Sequence, residues 1–222
     1  MRAMRKSTHA RAVDAIQSAL RPLLKARGFK VRGRTFSRAT EDGLTQVVNI
    51  QMGSSDPPGT TYIPGLRENL YGLFTVNLGV YVPEVARHHM GGEAKSWVHE
   101  YHCCVRSRLA EAAGKAKDIW WRAQPEEAVI EDVRCLLEEA GIPFLDRFST
   151  RDKILAEWWG RSENMGTSSP PRIVMAIILS ERNLRDQARA LLAQQVLETR
   201  NPGHPDYVRR LAKELGVGSL DG

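Results

Sequence analysis

At 222 residues, with 42% hydrophobic and 26% charged side chains, the chain has the composition of an ordinary globular protein, enough for one large domain or a domain with an appendage. Disordered polymers, collagen and coiled-coil rods are excluded, and the longest uncharged apolar run, Ile173 to Ser180, falls far short of the ~20 residues that a membrane span needs. The net charge of +6 is uneven: residues 1 to 38 hold eleven Lys or Arg against the single acid Asp14, a balance of +10, and the remainder balances at −4.

The N-terminal MRAMRKSTHARA lacks the apolar stretch of a secretory signal. An odd count of three cysteines with Cys103 and Cys104 adjacent makes a poor disulfide framework, so free thiols are expected. Together these predict a cytoplasmic protein without a membrane partner.

Ser7 or Thr8 can cap a helix in which Val13, Ile16, Leu20, Leu23 and Leu24 recur at helical spacing, with Gly28 as a left-handed stop. Pro22 removes a backbone donor and predicts a kink near Ser18. From Phe29 the period falls to two over FKVRGRTFSRAT, LTQVVNIQM and YGLFTVNLGVYV, which read as three strands, the first two a hairpin, with a bulge at Gly33. The third puts Phe74, Val76 and Leu78 on one face and Thr75 and Asn77 on the other. The second agrees, with Val48 and Ile50 against Asn49 and Gln51.

Residues 53 to 70 form a long connection rich in Gly, Pro, Ser and Thr, the sort of loop that acts as a lid or a mobile excursion. A helical turn is expected over Glu84 to His89, a fourth strand over Ser96 to Arg108 and a short fifth near Asp118 to Arg122. Pro125, Glu126 and the stripe Val129, Ile130, Val133, Leu136 and Leu137 predict a helix that stops at Gly141. From about residue 149 onward four helical segments follow, the first capped by Ser149 or Thr150, the second started by Pro170 and Pro171, the third running from Asn183 and the fourth begun by Pro205. The expected architecture is α+β: a mainly antiparallel sheet of four to five strands with helices on one face over residues 1–148, then an all-helical extension over 149–222 with tetratricopeptide-like hairpins.

Six segments taken together, LLKARGFKVRGRTFSR (23–38), VVNIQMG (47–53), FTVNLGVYVPE (74–84), CVRSRL (104–109), the pair Trp120 and Trp121, and GIPFLDRF (141–148), resemble in order and spacing a bacterial family catalogued as domain of unknown function 4304. The likeness runs over residues 10–150. It implies a small α+β domain of the bacterial cytoplasm and brings no catalytic residues with it.

The metal-type side chains cluster as His88, His89, His99, His102, Cys103 and Cys104, but the second pair of a zinc framework is missing, so no metal ligand is expected. On a strand Cys104 and His102 share a face at roughly 7 Å, too far for direct proton transfer, and inert buried thiols are the simpler reading. Nucleotide, hydrolase and metalloprotease signatures are absent from the sequence, and neither a catalytic residue nor a cofactor is predicted. The two Trp pairs, 120–121 and 158–159, read as one core and one covering residue each.

The polar side of the sheet is the candidate surface. Asn49, Gln51, Asn77, Glu100, His102 and Arg106 are expected to line it, with Arg32, Arg34 and Arg38 at its border and the long loop over it, an arrangement suited to an acidic peptide or a phosphate-bearing partner. The first expectation is thus a non-catalytic protein-interaction module, antitoxin-like or an adaptor, with another protein as partner. A nucleic-acid-associated protein using the basic first 38 residues is the second, and an enzyme of unrecognised type at the polar face the third.

Overall fold

The computed structural model describes residues 6–54, 69–91, 95–159 and 170–220. Most of the expected 53–70 connection therefore lies outside the described residues. The fold is α+β, with an antiparallel sheet followed by a helical C-terminal region. Helix α1 (Thr8–Ala26) leads into strands β1 (Lys30–Arg32), β2 (Thr35–Ala39), β3 (Thr45–Met52) and β4 (Leu73–Tyr81), then helix α2 (Pro83–His88), β5 (Val105–Arg108), α3 (Leu109–Ala112) and β6 (Trp121–Arg122). The strands pair in chain order from β1 to β5, and β6 also pairs with β4. Since β3 holds one edge of β4, β5 and β6 share the other. Helices α4 (Glu127–Leu136), α5 (Ile142–Arg147), α6 (Arg151–Trp158), α7 (Pro171–Glu181), α8 (Arg185–Glu198) and α9 (His204–Glu214) complete the chain.

The chain forms two compact units. One holds Met1–Arg38, Val47–Leu78 and Ser107–Phe144, the other Ala39–Gln46, Gly79–Arg106 and Leu145–Gly222. In the first, the Ser7 hydroxyl accepts from the Ala10 N–H and caps α1, whose Val13, Ile16, Leu20 and Leu24 are buried, the stripe that a 3.6-residue period demands. This helix packs against α4. The helix is continuous through Pro22; Pro22 and Ser18 both lie on the exposed side, where water can satisfy the carbonyl that proline leaves without a donor.

Two expectations need correction in this unit. The first expected strand is a tight hairpin, with Arg32 opposite Thr35 and Gly33 at φ +58. Glycine at the first position of a two-residue loop supplies the positive φ that reverses the chain, so the change of parity marks a turn, not a bulge. Gly141 does not stop the α4 helix, which passes through a π turn over Leu137–Gly141 into α5. A Cβ at Gly141 would meet Leu109 Cδ1 at 2.8 Å and Leu137 Cδ2 at 3.2 Å; the glycine is there to let the chain approach, with no positive φ.

In the second unit α7 is buried on every side from Pro171 to Leu179, the mark of a central helix. It packs against α2, α6 and α8, and α8 packs against α9. The one charged group it buries, Arg172, meets Glu198 at 2.7 Å. Glu84 on α2, its side chain 5% exposed, takes Arg151 in a two-pronged pair at 2.6 and 2.8 Å, and Arg151 also reaches Asp42 at 3.1 Å.

The expected fourth strand shrinks to Val105–Arg108, preceded by a 3-10 turn over Glu100–His102. Local hydrogen bonds decide this: the Cys103 N–H donates to the Glu100 carbonyl, and the His102 ring nitrogen Nδ1 accepts from the His99 N–H. Such side-chain bonds to nearby backbone compete with a sheet ladder. Cys103 then lies against Gly79, where a Cβ would come within 2.8 Å of its Cβ and Sγ.

Candidate functional site

In the first unit a chain of polar side chains crosses four strands. Asn77 on β4 donates through Nδ2 to Asn49 Oδ1 at 3.3 Å and to Gln51 Oε1 at 2.9 Å, both on β3. Asn49 donates in turn to Thr35 Oγ1 on β2 at 3.0 Å. From β5, Arg108 donates to Asn77 Oδ1 and, at 3.2 Å, to Gln51 Oε1. The alternation of strand side chains puts these residues on one face, opposite the apolar residues Val48, Ile50, Phe74 and Val76, which are all buried.

Every amide in the chain has its orientation fixed by its neighbours. Because the Gln51 oxygen accepts from two donors, its amino group turns outward, and Gln51 is the exposed member of the set. Among the described residues that amino group meets no acceptor. Asn77 is 3% exposed and Thr75 1%, so β4 is covered on its polar face as well. The expected open polar side reaches solvent through Gln51 and the partly exposed Arg108, whose polar ends Asn77 holds. Arg108 also lies over the Trp120 ring at 5.4 Å and faces Asp118 at 3.5 Å. Close by, Trp121 is buried, stacks on Phe74 and donates to Asp132 at 2.6 Å.

The other candidate residues have other surroundings. Arg34 is bound to Asp14 at 3.0 Å and to the Ala10 carbonyl at 3.1 Å, and Arg38 donates to the Arg27 carbonyl while lying over the Phe29 ring. Both tie the hairpin to α1. Arg32, at the hairpin turn, is exposed. In the second unit Glu100 is buried and receives the Arg106 guanidinium, with Nε at 2.7 Å. His102 stands in an aromatic group with His99 and the exposed Tyr101, and burial, then Lys95 and His99, push its pKa down.

The sequence reading missed Arg108. Its signal was present: it stands two residues after Arg106 on the same strand, and so shares that residue's face.

Burial pushes Cys103 well above the ordinary thiol range and Cys104 up to about 12, far from the lowered value a nucleophile needs. Cys135 is held up by its hydrogen bond to Glu131. Among the described residues no three His, Cys, Asp or Glu side chains converge as metal ligands, and no helix is long and apolar enough to cross a membrane.

Residues 67–147 match a family model described as "Domain of unknown function (DUF4304)". This stretch is a DUF4304 domain. No curated protein and no solved structure is matched by the chain. The DUF4304 domain contains β4, β5, β6 and α4, and with them Asn77, Arg108 and Trp120. Thr35, Asn49, Gln51 and the basic N-terminal segment precede it. Of the segments that carried the resemblance, those at 74–84 and 104–109 and the Trp120–Trp121 pair fall inside the match, as does 141–148 except for Phe148; those at 23–38 and 47–53 fall outside.

Proposed function

We propose that this chain is a non-catalytic protein-interaction module, an adaptor-type component that takes an acidic segment of a partner protein at the Gln51–Arg108 end of its sheet face. One observation carries the reading: at its exposed end the polar chain offers donors. Asn77 supplies both flanking oxygens with hydrogen bonds and accepts from Arg108, so what remains for a ligand is the Gln51 amino group and the Nη2 edge of the guanidinium, whose Nε faces Asp118 at 3.5 Å. Fixed donors beside a cation suit a carboxylate, and their fixed orientation lowers the ordering cost of binding. The partner's acidic residues would also meet a molecule of net charge +6, which favours encounter.

Selection from an unbiased library of displayed peptides tests this. Enrichment of Asp- and Glu-rich sequences is expected, with affinity falling about tenfold in Gln51→Ala and in Arg108→Lys, since a point charge cannot replace the planar fork. Enrichment without acidic residues, or acidic enrichment that neither variant weakens, contradicts the reading.

A further inference from the structure

The first 38 residues present a second surface of different chemistry. On α1, Arg11, Arg21 and Lys25 are exposed, as are Arg27 just after the helix and Lys30 and Arg32 on β1. Among the described residues none of the six has a carboxylate partner. The only acid in this stretch, Asp14, is already engaged by Lys6 at 2.8 Å and by Arg34 at 3.0 Å, and Lys6 foremost, with Arg34, holds its carboxyl below the usual range. The single charge of Asp14 is therefore shared by those two neighbours, and the other cations are left uncompensated.

An open cleft of about 510 Å³ lies between α1 and the hairpin turn, lined by Gln17, Ser18, Arg21 and Gly33 beside the Lys6–Asp14–Arg34 set. Two of its lining residues are joined, Gln17 donating to the Gly33 carbonyl. The cleft is wide enough for a phosphate group, and on its wall Arg21 supplies a cation, while the Ser18 hydroxyl donates to the Asp14 carbonyl at 2.8 Å.

We propose that the outer face of α1 and the β1–β2 hairpin bind the phosphate backbone of a nucleic acid, without base readout. Charge complementarity supports the occupant: six unpaired cations on adjoining elements match a polyanion, and each phosphate they neutralise releases a counterion. An anionic membrane would need apolar side chains among the cations to enter the lipid. The exposed residues between them are Ala15, Ser18, Ala19, Pro22, Ala26 and Gly28, too small for that. No exposed aromatic ring lies among them either, so base stacking of the single-strand kind has no platform there, and a duplex is favoured.

The test measures anisotropy of a short labelled duplex of mixed sequence with the full chain across a salt series. Affinity is expected to fall by roughly 10²- to 10³-fold between about 50 and 200 mM salt, with a log–log slope of about −4 for four to five phosphates neutralised. The double variant Arg21→Glu, Arg32→Glu is expected to weaken binding at low salt by at least tenfold and to make the slope shallower by about two. Both positions are exposed, and an unchanged thermal transition confirms that the variant folds. Gln51→Ala serves as the control that leaves duplex binding unchanged, which separates this surface from the proposed peptide face. A slope unaffected by the double variant overturns the proposal. So does tighter binding to vesicles of equal parts phosphatidylserine and phosphatidylcholine than to the duplex.

Discussion

Asn77 uses both halves of its amide on neighbours, giving two hydrogen bonds and accepting one while 3% exposed. Removing it leaves the Asn49 oxygen without its donor and takes one bond each from the Gln51 oxygen and the Arg108 guanidinium, and a half-buried group left without a partner costs more than the bond it loses. Asn77→Ala is expected to lower stability by about 2–3 kcal/mol, read from urea unfolding, whereas Gln51→Ala at the exposed end is expected to cost under ~1 kcal/mol. Equal effects at the two positions would mean that the network does not hold the face in shape. The same burial argument explains the raised thiol pKa of Cys103 and Cys104, both buried, with Cys104 Sγ against the Val80 carbonyl at 3.8 Å. Residue types alone could not distinguish a reactive Cys-His pair from this arrangement, because the difference lies in where the backbone turns.

Helix α2 is joined to α7 and α9 by its histidines. His88 lies between Glu181 at 3.1 Å and Glu214 at 2.7 Å, and the half-buried His89 is hydrogen-bonded to Tyr207. Burial foremost, then the charge of His204, pushes the His89 pKa down. The unfolded chain therefore binds a proton there that the folded chain refuses, so the contribution of His89 is fully present above the unfolded value, about 6.5, and is lost as the pH falls through the folded value. Thermal unfolding of the wild type against His89→Asn is expected to show the wild type losing more stability between neutral and mildly acid pH; parallel curves would remove His89 as the cause. At this scale β3 and β4 were legible from their alternation, and α1 and the helices after Thr150 from apolar spacing together with capping, asparagine or proline starts. The segment 96–104 was not. Its alternation resembles a strand, but Glu100 and His102 hydrogen-bond locally and end the ladder before Val105.

Over the whole chain the sequence shows a basic beginning and a mildly acidic remainder, and the α+β class followed from the order of its periods. Half of the candidate face was also legible, since strand parity alone groups Asn49, Gln51 and Asn77. Burial was harder to read: parity assigns a side chain to a face but does not say what covers that face, and β4 is buried on both. Nor could spacing show that Arg34 and Arg38 anchor the hairpin to α1 instead of rimming a surface, because that depends on a contact with Asp14, twenty residues away, and on the Phe29 ring. Nitrogen-15 NMR of the side-chain amides tests the peptide face most directly. On titration with an Asp/Glu-rich dodecapeptide, the Gln51 amino resonances should shift in step with saturation while those of Asn49, bound inward to Thr35, move little. Saturable peptide binding that leaves the Gln51 amide unperturbed would contradict the account.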